Sequence, residues 1–146
     1  MKVYLDIDGV LLDYGENPAK HAVEFLDYLV KNYDVYWLTT HCKGDCMPTQ
    51  QHLSRFFTDH TTLENLKSIK PTNWDTMKTE AIDFTEPFVW IDDDLFNTEH
   101  QSLVKNKATK KVILVDLLED PDALLRVIEK LRDGSDLEPV KPNIPW

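Results

Sequence analysis

Glycine is scarce in this chain, with four among 146 residues. No long polar tract accompanies them, which excludes disorder over most of the length. No apolar run approaches the roughly 20 residues that a membrane-crossing helix needs. Cysteine is limited to Cys42 and Cys46. Two cysteines make no disulfide framework, and with the adjacent His41 they are still one ligand short of a structural zinc site. The expectation is a loop carrying two reduced thiols. Positive charge is also short, with 16 basic against 26 acidic residues and a net charge of -10. That balance repels nucleic acid at long range, so a nucleic-acid partner is not expected. The first strand begins at about Lys2, which leaves no room for a signal peptide, and a cytoplasmic location is the default expectation.

What is present is an ordinary globular composition, 42% hydrophobic and 29% charged, in a length that suits one domain with a real core. Near the start, Val3-Tyr4-Leu5 runs into Asp6-Ile7-Asp8-Gly9. The apolar residues suit a buried strand. Two aspartates two positions apart point the same way in extended chain, and the glycine lets the backbone turn at once. Further on, Phe88-Val89-Trp90-Ile91 leads into Asp92-Asp93-Asp94. In a parallel sheet both strand ends lie on one edge, where open α/β folds place their ligands. Carboxylates gathered there repel one another, and a hard divalent cation such as Mg²⁺ would relieve that cost.

The rest of the chain alternates strand-like and helix-like segments. Asn17 and Pro18 look like an N-cap and first helical residue, followed by an apolar face through Ala22, Phe25, Leu26 and Leu29. Val35-Leu38 is a second strand. Helices are expected over about 48–57, 62–69, 76–84 and 95–106, and a strand at Val112-Val115. Asp120-Pro121 repeats the cap-then-proline signal for a last helix that ends at Gly134. Residues 135–146 carry three prolines and read as an extended tail. The alternation implies parallel βα units in a three-layer α/β/α sandwich over 1–134, with no internal repeat.

Asp6 can serve as a nucleophile toward phosphorus, with Asp8 as acid and then base. A hydroxyl and a lysine would steady the transferring group. Thr39, at the end of the second strand, fits the hydroxyl, although Thr40 could take that role. Lys78 fits the lysine better than Lys67 or Lys70, since it opens a helix before the second acidic cluster.

Together Asp6-Ile7-Asp8-Gly9-Val10, Tyr36-Trp37-Leu38-Thr39, Lys78-Thr79-Glu80-Ala81-Ile82 and Trp90-Ile91-Asp92-Asp93 resemble, in order, the four motifs of the haloacid dehalogenase (HAD) superfamily of phosphohydrolases. The resemblance implies a Rossmann-like fold, Mg²⁺ dependence and hydrolysis of phosphoric monoesters through an aspartyl-phosphate. It implies Asp6, Asp8, Thr39 and Lys78 as catalytic residues, and Asp6, Asp8, Asp92 and Asp93 around the metal. The short segments between motifs leave no room for the cap domain that most members carry, so the chain resembles a capless member with an open site. The second function class is a regulatory module that keeps the fold and the metal but acts through a protein partner. Asp13 reads as a turn residue, Asp94 as solvated, and Trp37, Trp74 and Trp90 as core aromatics.

Overall fold

In the computed structural model, which describes residues 1–146, four strands form one sheet: β1 (Lys2–Leu5), β2 (Asp34–Trp37), β3 (Phe88–Asp92) and β4 (Val112–Leu114). All are parallel, in the order β2-β1-β3-β4. Parallel strands covered on both faces need apolar residues along their length, and Val3-Tyr4-Leu5, Val35-Tyr36-Trp37, Phe88-Val89-Trp90-Ile91 and Val112-Ile113-Leu114 are such runs. From β1 the chain moves first to one neighbour, β2, and later to the other, β3. That reversal opens a crevice beyond the carboxyl ends of β1 and β3.

Side-chain alternation along the strands divides the core in two. Val3, Leu5, Val89 and Ile91 face α1 (Ala22–Asn32), α2 (Met47–Leu53), α3 (His60–Ser68) and α5 (Ala123–Asp133). Tyr4, Phe88 and Trp90 face α4 (Asn97–Lys105) and the segment around Ile82. The result is a Rossmann-like α/β arrangement with helices on both faces of a parallel sheet. Phe25, Leu26 and Leu29 of α1 are fully buried, and each such side chain contributes about 1.5–3 kcal/mol relative to exposure. No helix is long and apolar enough to cross a membrane.

Three helix starts differ from the sequence expectation. Helix α1 begins at Ala22, not at Asn17 and Pro18. The Asp13 carboxylate accepts the amides of Gly15 and Asn17 at 2.9 and 3.0 Å, as a turn-forming aspartate does. Ala19 N then donates to Leu11 O at 2.8 Å. Residues 11–19 are thereby a flap folded back on itself. Helix α5 begins at Ala123. Asp120 accepts the Asp122 amide at 3.1 Å in the turn that precedes the helix as well as Arg126 at 2.9 Å, while Asp122, at the N-cap position, pairs with Lys20 and His21, each at 2.9 Å, and makes no side-chain cap. The helix expected over 76–84 is only a 3₁₀ turn at Lys78–Ala81. There the Glu80 carboxylate takes the amides of Asp75, Thr76 and Met77 at 3.1, 3.2 and 2.8 Å.

Residues 135–146 are extended, but they are docked rather than free. Val140 N donates to Thr109 O at 2.8 Å, Asn143 N to Leu95 O at 3.0 Å, and Asn97 N to Ile144 O at 3.0 Å. The segment therefore runs along the α4 side of the sheet and ends beside the crevice.

Candidate functional site

The register Leu5↔Ile91 is followed by a bond from Asp6 N to Ile91 O at 3.0 Å. This sets Asp6, just past the end of β1, beside Asp92, the last residue of β3. Both are buried, at 6% and 1% exposure. By alternation they share a sheet face with Tyr4 and Trp90, and Trp90 Nε1 donates to Asp92 Oδ2 at 3.1 Å. Lys78 reaches the same point from the 3₁₀ turn. Its Nζ lies 2.7 Å from Asp92 Oδ2 and 3.4 Å from Asp6 Oδ1. The other Asp92 oxygen accepts the amides of Asp93 and Asp94 at 2.8 and 3.2 Å, which turns the following loop back over the strand end.

Asp93 completes the cluster. Ligand atoms of Asp6, Asp92 and Asp93 all lie within 4.8 Å of one another. Tyr14, from the flap, donates its hydroxyl to Asp93 Oδ2 at 2.8 Å. Burial, with the neighbouring Asp92 adding to it, pushes the Asp6 carboxyl well above its ordinary value. The same two causes raise Asp93 to about 7. Burial works against the Lys78 ammonium, but the Asp92 and Asp6 carboxylates outweigh it and hold the group above its ordinary value. One ammonium among three crowded carboxylates leaves negative charge uncompensated. A set of hard oxygen donors with that surplus could hold a metal ion.

Asp8 lies outside this carboxylate group. Its side chain is 61% exposed, and its Oδ2 is 2.8 Å from His41 Nε2. The His41 ring is stacked on His52, with centroids 4.5 Å apart and planes 15° apart. His52 Nε2 is buried without a hydrogen-bond partner. Asp8, His41 and His52 also bring ligand atoms within 4.8 Å. Imidazole lone pairs lie in the ring plane, however, and two nearly parallel stacked planes do not converge on one cation. The arrangement instead braces His41, and through it fixes the Asp8 carboxylate on the rim.

A cavity of about 530 Å³ opens over these groups, and Asp6, Asp8, Lys78, Asp92, Asp93 and Asp94 all line it. Thr40 lines it as well, whereas Thr39 is buried and accepts from His41 N at 3.3 Å. Of the two threonines, it is Thr40 that lines the cavity. Lys67 pairs with Glu64 and Lys70 with Asp34, so neither reaches the cavity. Trp37 and Trp90 are core residues, but Trp74 lines the cavity and carries Lys43 Nζ 4.1 Å above its ring. Cys42 and Cys46 are free thiols outside both ligand groups.

Four contributors have no role at this site in the sequence reading. Tyr14 carried no signal, being one polar aromatic in a turn. His41 was visible only as a neighbour of Cys42. Asn143 donates to Asp93 O at 2.9 Å and accepts from Leu95 N at 2.7 Å, clamping the loop that carries the acids. Trp146 lines the cavity from the same docked segment. Compared with protein-family models, curated proteins and solved structures, the chain matches none of them.

Proposed function

We propose that the protein is a Mg²⁺-dependent phosphatase of the HAD type, cleaving phosphoric monoesters through an aspartyl-phosphate on Asp6. The observation that carries this reading is the convergence of Asp6, Lys78 and Asp92, from three separate segments, within 3.4 Å of the lysine ammonium. A buried carboxylate held beside a buried ammonium suits attack on a phosphoryl group. Asp6, Asp92 and Asp93 would hold the ion, which when bound offsets carboxylate repulsion and polarises the phosphoryl oxygens.

Asp6 contributes a carboxylate oxygen to phosphorus as the bond from phosphorus to the alcohol oxygen breaks. Asp8 protonates that departing oxygen. Asp8, now a carboxylate, takes a proton from water as the water oxygen attacks phosphorus and releases Asp6, giving inorganic phosphate. In this reading Lys78 donates to the equatorial oxygens, and Thr40, which lines the same cavity, supplies the hydroxyl. His41 keeps Asp8 oriented without touching the reacting atoms.

A role at nucleic-acid ends would call for a basic surface beside the cavity. Lys107, Lys110, Lys111 and Lys130 instead gather near Met1 and Phe88, at the opposite edge of the sheet.

The test is hydrolysis of p-nitrophenyl phosphate with Mg²⁺. Activity abolished by Asp6→Asn and by chelator supports the reading, and turnover that survives Asp6→Asn rules out the mechanism. Mg²⁺ binding without hydrolysis of any phosphomonoester would leave the regulatory, partner-binding module as the better account.

A further inference from the structure

Among all the tyrosines, phenylalanines and tryptophans of the chain, only Tyr14, Phe96 and Trp146 are exposed, at 57%, 38% and 74%. All three line the one cavity that contains Asp6 and Lys78. They come from unrelated places: the flap, the residue before α4, and the docked segment 135–146. Trp74, from the loop after α3, adds a half-buried fourth ring to the same wall.

Core packing does not account for this. Elsewhere the chain hides its large rings, with Trp37, Trp90 and Phe25 fully buried. The exposed residues are instead anchored through their polar atoms. The Tyr14 hydroxyl is held by Asp93. Phe96 N donates to Glu99 Oε1 at 3.1 Å. Trp146 O accepts from Thr98 Oγ1 at 3.3 Å. Each tether holds its residue at the cavity wall. Exposed apolar surface grouped in one concave place marks a binding site.

The direction of the chemistry makes the argument specific. In-line attack by buried Asp6 sends the leaving oxygen away from Asp6, into the cavity that the rings line. Resting on the phosphatase reading above, we infer that the substrate is a small phosphomonoester whose alcohol part carries a flat aromatic ring. That ring is either the heterocycle of a nucleoside monophosphate or an aryl group. A volume of about 530 Å³ is within the range of small-ligand sites, and aromatic walls bind flat rings by stacking.

The experiment measures equilibrium binding to the full chain carrying Asp6→Asn, with Mg²⁺, by calorimetry. This substitution removes a buried charge without changing shape. Two matched pairs are compared: adenosine 5′-monophosphate against ribose 5-phosphate, and O-phosphotyrosine against O-phosphoserine. The ring-bearing member of at least one pair binds roughly tenfold tighter or more, and the pair that shows it identifies the ring. Trp146→Ala or Phe96→Ala, in the same background, brings that ratio toward one. Equal affinities in both pairs overturn the inference, as does a ratio that survives both ring removals. The two readings fail separately. Wild-type hydrolysis with equal kcat/KM across both pairs leaves the phosphatase reading and sinks ring recognition. Ring-selective binding without any turnover does the reverse.

Discussion

Gly9 and Asp93 share a space that leaves no room for a side chain on the glycine: a Cβ built there would overlap the Asp93 carboxylate. Gly9 also sits at φ +76, where side chains are strained. Its bareness lets the turn after β1 press against the loop after β3. Gly9→Ala is expected to destabilise the fold by about 1–3 kcal/mol and to weaken Mg²⁺ binding by displacing Asp93. Gly134→Ala is the control, since Gly134 has φ +66 but nothing within 4 Å of its Cβ position. Urea midpoints that fall equally in the two variants would contradict the overlap.

Removing Lys78 leaves the Asp6 and Asp92 carboxylates buried without a countercharge. Lys78→Met is expected to cost about 3–5 kcal/mol of stability in the presence of chelator, and part of that loss returns when Mg²⁺ is added. Denaturation midpoints with and without the ion check this. A variant as stable as the wild type in chelator would mean that the lysine does not balance those charges.

The same crowding sets a pH dependence. The folded values of Asp6 and Asp93 are raised, Asp93 to about 7, above an ordinary carboxylate value of about 4. The folded state therefore binds these protons more tightly than the unfolded chain. Stability in chelator is greatest near pH 4 to 5 and declines as pH rises toward 7. Mg²⁺ competes with the same protons, so its affinity weakens as pH falls below about 7. Urea midpoints at pH 5 and 7.5 in chelator, together with Mg²⁺ titrations at both, test both signs. A higher midpoint at pH 7.5 without the ion would refute the assignment.

His41→Phe keeps a ring against His52 and loses the bond to Asp8. If Asp8 is the general acid, the loss depends on the leaving group. Hydrolysis of an alkyl phosphate is expected to slow by roughly tenfold to a hundredfold. Hydrolysis of p-nitrophenyl phosphate, whose phenolate leaves readily, slows much less. Equal losses on both substrates would assign His41 a purely structural part.

Asn143 joins the docked segment to the acidic loop through both ends of its amide. Asn143→Ala is expected to cost about 1–2 kcal/mol and to speed hydrogen exchange at the Leu95 amide. Unchanged exchange there would show that the segment is held without it.

How much of this was legible depended on how local the cause was. The four strands were plain because parallel strands buried on both sides must be apolar throughout, and such runs are visible residue by residue. Asp6, Lys78, Asp92 and Asp93 were named because each adjoins a strand end or opens a turn. Helix starts shifted where a carboxylate closes a turn ahead of the expected helix: Asp13 on the amides of Gly15 and Asn17, Asp120 on that of Asp122, and Glu80 on three amides of the preceding loop. Those turns are settled by geometry that a linear pattern does not contain.

The amino-acid sequence by itself determined the strand positions, the surplus of acid and the carboxylates at two strand ends, because burial and charge are properties of each side chain. Only the tertiary structure decided that Thr40 rather than Thr39 lines the cavity, that His41 holds Asp8, and that Tyr14, Phe96 and Trp146 surround one opening. Those relations join residues up to 132 positions apart, and a distance in space between such residues is fixed only when the sheet and its helices close around a common core.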